Sequence, residues 1–133
     1  MNATNPTLTT DAAVAAAREV MARHLAALNA RDNMALTATL HFPHYRLSLG
    51  RLQTWEKPDT YFADFLARAE PDWARSRWDF LNVVAAGPEK VHLDVGFTRL
   101  RADGTPLGTY RSLWVIARLD ERWAAQLRSS FAA

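Results

Sequence analysis

The sequence predicts an α+β domain in which helices come first and a sheet follows. Three observations carry this. Apolar residues recur at helical spacing in the first half of the chain, as in Val14, Ala17, Met21, Leu25 and Leu28. A period of two takes over in the second half, where Val91, Leu93, Val95 and Phe97 alternate with His92, Asp94, Gly96 and Thr98. Turn signals at Gly87-Pro88-Glu89-Lys90, Asp103-Gly104 and Asp120-Glu121-Arg122 divide that half into four strands. Three turns between consecutive long strands predict an antiparallel meander. The 133 residues suit one domain, predicted over 9–133 behind a loose Asn-, Thr- and Pro-rich arm at 1–8.

Each element has its own signal. Thr9-Thr10-Asp11 offers N-cap oxygens to a first helix, and its alanine content favours helix through Ala30. Asp32 can cap a short second helix over Asn33–Leu40, which Pro43 would end. His44–Leu49 alternates as a strand, Gly50 turns the chain, and Arg51–Trp55 is a short partner strand. Pro58 suits the first position of a third helix, with Tyr61, Phe62, Phe65 and Leu66 as its apolar face and Glu70-Pro71 as its stop. The long strands are then Ser76–Ala86, the alternating run from Val91, Thr109–Leu119 and Trp123–Phe131. Helices packed on one face of a bent sheet form an α+β layer pair. They cannot fill the whole concave side, so a cavity is expected at the open end.

Composition removes several classes of function. The 49% apolar and 23% charged content belongs to a folded globule. With no cysteine there is no disulfide, thiolate zinc site or thiol nucleophile. No apolar run approaches the roughly 20 residues of a membrane span, and residues 1–6 lack the basic start and apolar core of a signal peptide, so the expected location is cytoplasmic. Arginine supplies 14 of the 16 basic residues, but they are scattered among 14 acids and the net charge is +2. Neither nucleic acid nor an anionic membrane is an expected partner.

The segment Ala26-Ala27-Leu28-Asn29-Ala30-Arg31-Asp32 and the closing stretch Trp123-Ala124-Ala125-Gln126-Leu127-Arg128-Ser129-Ser130-Phe131 resemble the NTF2-like superfamily. That superfamily includes ketosteroid isomerases and SnoaL-like polyketide cyclases. Leu40-His41-Phe42-Pro43-His44 is similar to a stretch of a bacterial NTF2-like subgroup. The resemblance covers about residues 10–131. It implies a cone-shaped fold with a pocket and dimerisation through the outer sheet face. It also implies that the isomerase machinery is missing. The general-base aspartate aligns with Ser48, the oxyanion-hole tyrosine with His24, and the second oxyanion donor with Val115. A serine hydroxyl does not replace a carboxylate base unaided. The Asp-Arg-Asp arrangement of limonene-epoxide-hydrolase-like enzymes has no evident counterpart.

The residue types then nominate a site. His24, at the edge of the first helix's apolar stripe, can donate a hydrogen bond or exchange a proton near neutral pH; the plainer reading is a half-buried histidine bonded to a backbone carbonyl. His44, Arg46 and Ser48 share one strand face. If that face looks inward, Arg46 presents five donors to a carboxylate or carbonyl; otherwise Tyr45, Leu47 and Leu49 form the core. On the third long strand Arg111, Leu113 and Val115 share one face and Tyr110, Ser112, Trp114 and Ile116 the other. The alignment points Val115 inward and leaves an apolar outer face for a partner to cover; a one-residue slip would reverse both faces. Trp55, Tyr61 and Phe65 are candidate pocket walls, or plain core. His41 and His44 lack further ligands at metal spacing, so no metal or other cofactor is expected.

Three functions follow. The first is a homodimer that binds a small, largely apolar organic ligand, oriented by His44, Arg46 and His24. The second is a histidine-dependent isomerase, dehydratase or cyclase, with Arg46 stabilising an enolate or oxyanion. The third is a non-catalytic interaction module whose pocket is packed shut.

Overall fold

The computed structural model describes residues 9–133, so the predicted arm lies outside the described residues. Helix α1 (Thr10–Asn29) starts where expected: the Thr9 hydroxyl accepts from the Ala12 amide at 3.1 Å, and Asp11 sits in the first turn, where the helix dipole favours an acid. Its buried side is Ala13, Ala17, Val20, Met21, His24, Ala27 and Leu28. The stripe is therefore rotated from the predicted one, and His24 moves from its edge to its middle. Helix α2 (Asn33–Thr37) is capped by Asp32, which accepts from the Ala35 amide.

The second helix is shorter than predicted. The hydroxyls of Thr37 and Thr39 donate to the carbonyls of Asn33 and Leu36, and the chain leaves the helix before Pro43. Strand β1 (Leu40–Ser48) already contains Pro43, which follows a cis Phe42-Pro43 bond. The pairing of β1 with its neighbour β6 is irregular between Leu40 and Tyr45, a place where a missing amide is tolerated. Leu49 and Gly50, both with positive φ, turn β1 into β2 (Arg51–Trp55). Helix α3 (Tyr61–Arg68) begins three residues after Pro58, whose carbonyl accepts from the Tyr61 amide in the preceding turn.

The meander follows as β3 (Arg75–Gly87), β4 (Lys90–Leu100), β5 (Pro106–Leu119) and β6 (Arg122–Ser130). The six strands form one sheet in the order β2-β1-β6-β5-β4-β3, antiparallel except for the β1–β6 pair. Register shifts in β3–β4, β4–β5 and β5–β6 bend it. Helix α1 is fastened to β3 at two levels. Trp78 Nε1 donates to the Met21 carbonyl at 2.9 Å, and Asn29 exchanges two hydrogen bonds with the Ser76 backbone. The fully buried Val20, Met21, Leu36, Leu40, Val91, Leu93, Val95 and Ile116 fill the space between helices and sheet. Each such side chain contributes about 1.5–3 kcal/mol by leaving water.

Candidate functional site

A cavity of about 40 Å³ lies between α1, α3 and the inner face of the sheet. Aromatic side chains make much of its wall: Tyr61 and Phe65 from α3, Trp78 from β3, Phe97 from β4 and Trp114 from β5. Its polar lining is His24, three serines (Ser76, Ser112, Ser130) and four arginines (Arg46, Arg68, Arg99, Arg128). A larger open groove of about 370 Å³ adjoins it. Arg46 and Arg68 border both spaces, and Ser48, Leu49, Gln53 and Ala67 line the outer one.

Sheet register explains how the arginines meet. Arg46 of β1 lies opposite Arg128 of β6, which lies opposite Trp114 of β5. One row on, Ser48 pairs with Ser130 and Ser130 with Ser112. The Arg128 guanidinium stands 4.6 Å from the Trp114 ring centroid and 5.7 Å from that of Tyr61, within cation–π range. Arg46 donates to the Ala132 carbonyl at 2.8 Å, as does the Ser48 hydroxyl through a short hydrogen bond. Arg99 is held by Glu70 at 2.8 Å and by the Ala133 carbonyl, and Glu70 also accepts from Tyr110. Arg68 projects from the inner stripe of α3, seven residues along from Tyr61 and three from Phe65. Its Nε and Nη1 are buried with no hydrogen-bond partner among the described residues, as are Arg46 Nε and Arg99 Nε. The Tyr61 hydroxyl lies close enough to Arg68 to favour its charge. Burial pulls the Arg46 pKa down to about 9, with Arg68 and Arg128 pushing the same way. Burial followed by Arg128 brings Arg68 to about 10.

Burial holds His24, His41 and His44 below the ordinary histidine range. Thr39 spends its only hydroxyl proton on Leu36, so His24 Nδ1 must donate to Thr39 Oγ1, at 2.8 Å. The His24 ring meets Trp114 edge-on at 5.0 Å and stacks at 6.3 Å on Trp78. Burial, then Arg128 and His44, push its pKa well below the ordinary histidine value. His44 Nδ1 donates to the Ala125 carbonyl at 3.1 Å, and its Nε2 has no partner among the described residues. Its ring packs among Phe42, Trp55 and Tyr61. Burial first and Arg128 second lower its pKa to about 3. His41 ties β1 to the Ala117 carbonyl and does not cap a helix. Among the described residues no group of three or more His, Asp or Glu is placed to hold a metal. No helix among them is long and apolar enough to cross a membrane.

Of the nominated residues, His24, Arg46, Tyr61 and Phe65 line the cavity. His44 and Trp55 are buried beside it, and Trp55 Nε1 is committed to Asp64. Ser48 faces the outer groove. Arg111, Leu113 and Val115 do not join them. β5 turns Ser112, Trp114 and Ile116 inward, and Arg111 instead pairs with Asp94 on the outer face at 2.6 Å. The reversal has a simple cause: burying Trp114 and Ile116 removes more apolar area from water than burying Leu113 and Val115. On β1 the reverse holds. Leu47 and Leu49 are exposed, and polar His44, Arg46 and Ser48 go inside.

Arg68, Arg99 and Arg128 were not among the nominated residues, although a signal existed. Each stands where an apolar period continues: Arg99 two residues beyond Phe97, Arg68 at the next helical step after Phe65, and Arg128 two before inward-facing Ser130.

Neither family models nor curated proteins give a match to this chain. Solved structures do. A Nostoc punctiforme protein of unknown function with a cystatin-like fold superposes with a TM-score of 0.73 at 13% identity, covering 90% of each chain. A ketosteroid isomerase-like protein from Erwinia carotovora gives 0.66 at 15% identity, over 97% of this chain and 98% of that one. A Catenulispora acidiphila protein in complex with S-DNPA gives 0.70 at 18% identity, over 92% and 94%. The three helices, the six-strand mixed sheet and these superpositions together establish that the chain has the NTF2-like, cystatin-like fold.

Proposed function

We propose that this protein binds a small organic molecule in the cavity between its helices and the inner face of its sheet. The observation that carries the reading is the convergence of arginine, serine and histidine groups within aromatic walls, with several polar atoms unpartnered. Binding sites combine apolar walls with a few such polar groups, whereas a finished core leaves almost none unsatisfied. The S-DNPA complex of the Catenulispora acidiphila protein supports a ligand role for the fold. At about 40 Å³ the inner space is smaller than the roughly 150 Å³ that accepts a benzene ring. The ligand body therefore extends into the outer groove.

Proton transfer by histidine has less support. With its pKa near 3, His44 is a weak base at neutral pH, and His24 is displaced in the same direction. Native mass spectrometry of the freshly purified protein tests the binding reading. The expected result is a non-covalent adduct that denaturation releases and that a cavity-filling Ser112→Phe variant, still folded by circular dichroism, lacks. An adduct of equal mass and occupancy in that variant would place the ligand elsewhere.

We further propose a homodimer formed through the outer sheet face. Phe80, Leu113, Leu127 and Leu47 are all exposed there, a large apolar surface for a monomer. Light scattering should give twice the chain mass, and Leu113→Glu should return the protein to monomer. A wild-type monomer at micromolar concentration would refute it.

A further inference from the structure

The cavity holds more positive charge than the protein neutralises. Arg46, Arg99 and Arg128 are buried and Arg68 is half-buried. Arg99 has Glu70 as its counter-ion and also donates at 3.0 Å to the main-chain oxygen of Ala133, the last residue of the chain. Among the described residues, Arg46, Arg68 and Arg128 form no ion pair. A buried cation without a counter-ion is costly, and a protein retains one where something else supplies the charge. The two nearest histidines add no compensating group, because both are neutral and His44 Nδ1 and His24 Nδ1 are already committed to Ala125 and Thr39. The unpartnered buried atoms are mostly donors, at Arg46 Nε, Arg68 Nε and Nη1, Arg99 Nε and the Tyr61 hydroxyl, with the His44 Nε2 acceptor beside the cavity.

We infer that the ligand of this cavity is a small organic carboxylate, with its carboxylate held among Arg46, Arg68 and Arg128 and its body in the outer groove. The inference rests on the binding reading above and names the class of ligand. Guanidinium forks match a carboxylate through paired charge-assisted hydrogen bonds. A planar carboxylate can present one oxygen to each of two neighbouring forks, and the phosphate probe tests the alternative anion. Arg46 and Arg68 border both spaces, so they stand where the charged head meets the body. The ligand's charge, and not apolar character alone, then decides what the cavity accepts.

Calorimetric titration with benzoate, benzamide and inorganic phosphate at matched ionic strength tests this. Benzoate and benzamide share a ring and a shape and differ in charge. Benzoate is expected to bind at least tenfold more tightly than benzamide and more tightly than phosphate. Arg68→Gln and Arg128→Gln should each weaken benzoate at least tenfold and narrow the gap between benzoate and benzamide. Equal binding of benzoate and benzamide would overturn the carboxylate assignment while leaving the small-molecule cavity intact. Tighter binding of phosphate would overturn the assignment in favour of a phosphoryl ligand. Binding by none of the three would also overturn it, and the native-mass adduct would then decide separately whether the cavity binds anything. The comparison of the three probes on the wild-type protein keeps the test valid even where an arginine variant fails to fold.

Discussion

The inner face of this sheet has two halves, and the same strands build both. Along β4 the inward residues run Val91, Leu93, Val95 and then Phe97 and Arg99; along β5 they run Ile116, Trp114 and then Ser112. Across the strands, one row reads Val91, Ile116, Ala125, all fully buried and aliphatic. The next reads Leu93, Trp114, Arg128, Arg46, and the one after it Val95, Ser112, Ser130, Ser48. Within two rows the sheet passes from close-packed aliphatic core to a basic, serine-rich chamber. The first half is shaped to exclude everything. The second leaves cations and donors unsatisfied, and that combination is unfavourable for folding alone. The packed half carries the stability, and the chamber forgoes part of it, which fits the proposed ligand role.

Leu93→Ala strikes the packed half and should show the largest effect. Loss of a fully buried leucine there costs about 2–5 kcal/mol, read as a lowered denaturant midpoint with little change in slope. A cost below about 1 kcal/mol would mean that this half is not tightly packed.

Acid sharpens the boundary between the halves, where His44 sits. Its pKa is about 3 in the folded protein and near 6.5 in the unfolded chain, so the unfolded chain takes up the proton first as pH falls. The stabilisation is complete above about pH 6.5 and is lost progressively down to about pH 3, at about 1.4 kcal/mol per pH unit. His24, displaced in the same direction, steepens the slope. Denaturation midpoints at pH 7 and 5 measure this, and a His44→Gln variant should have the shallower profile.

In the chamber the sign reverses. Arg128→Met removes a buried charge without an ion-pair partner and forfeits its stacking on Trp114 and Tyr61. The expected net is a gain on the order of 1–2 kcal/mol in ligand-free protein, with loss of carboxylate binding. A clear destabilisation would show that the arginines hold the fold and not a ligand. Arg111→Ala is the control with the smallest effect. That arginine pairs with Asp94 on the outer sheet face, away from the cavity, and its removal should shift the melting temperature least.

The fold was largely legible because its signals are local. The Thr9 and Asp32 caps, the Asp120-Glu121 turn and the alternation from Val91 to Phe97 each determine an element without reference to the rest of the chain. The site was legible in part. Residue type, spacing and the family alignment nominated His24, Arg46, Tyr61 and Phe65, which line the cavity, while on β5 the reversed alternative holds and Arg111, Leu113 and Val115 face outward. An alignment slip of one residue on a strand inverts every side chain.

The order of elements, the two periodicities and the surplus of arginine can all be read along the chain. The tertiary structure alone decided that Arg46 lies opposite Arg128, that Arg68 of α3 joins them, and that Leu47 stays outside while Arg46 goes in. Helix caps and turns depend on neighbours a few residues away. The arginine cluster depends on the β1–β6 register and the packing of α3, which join Arg46 to Arg128 and Tyr61 to Arg128, 82 and 67 positions apart. Apolar period places a side chain on a face, but which face is buried is settled by the whole sheet at once.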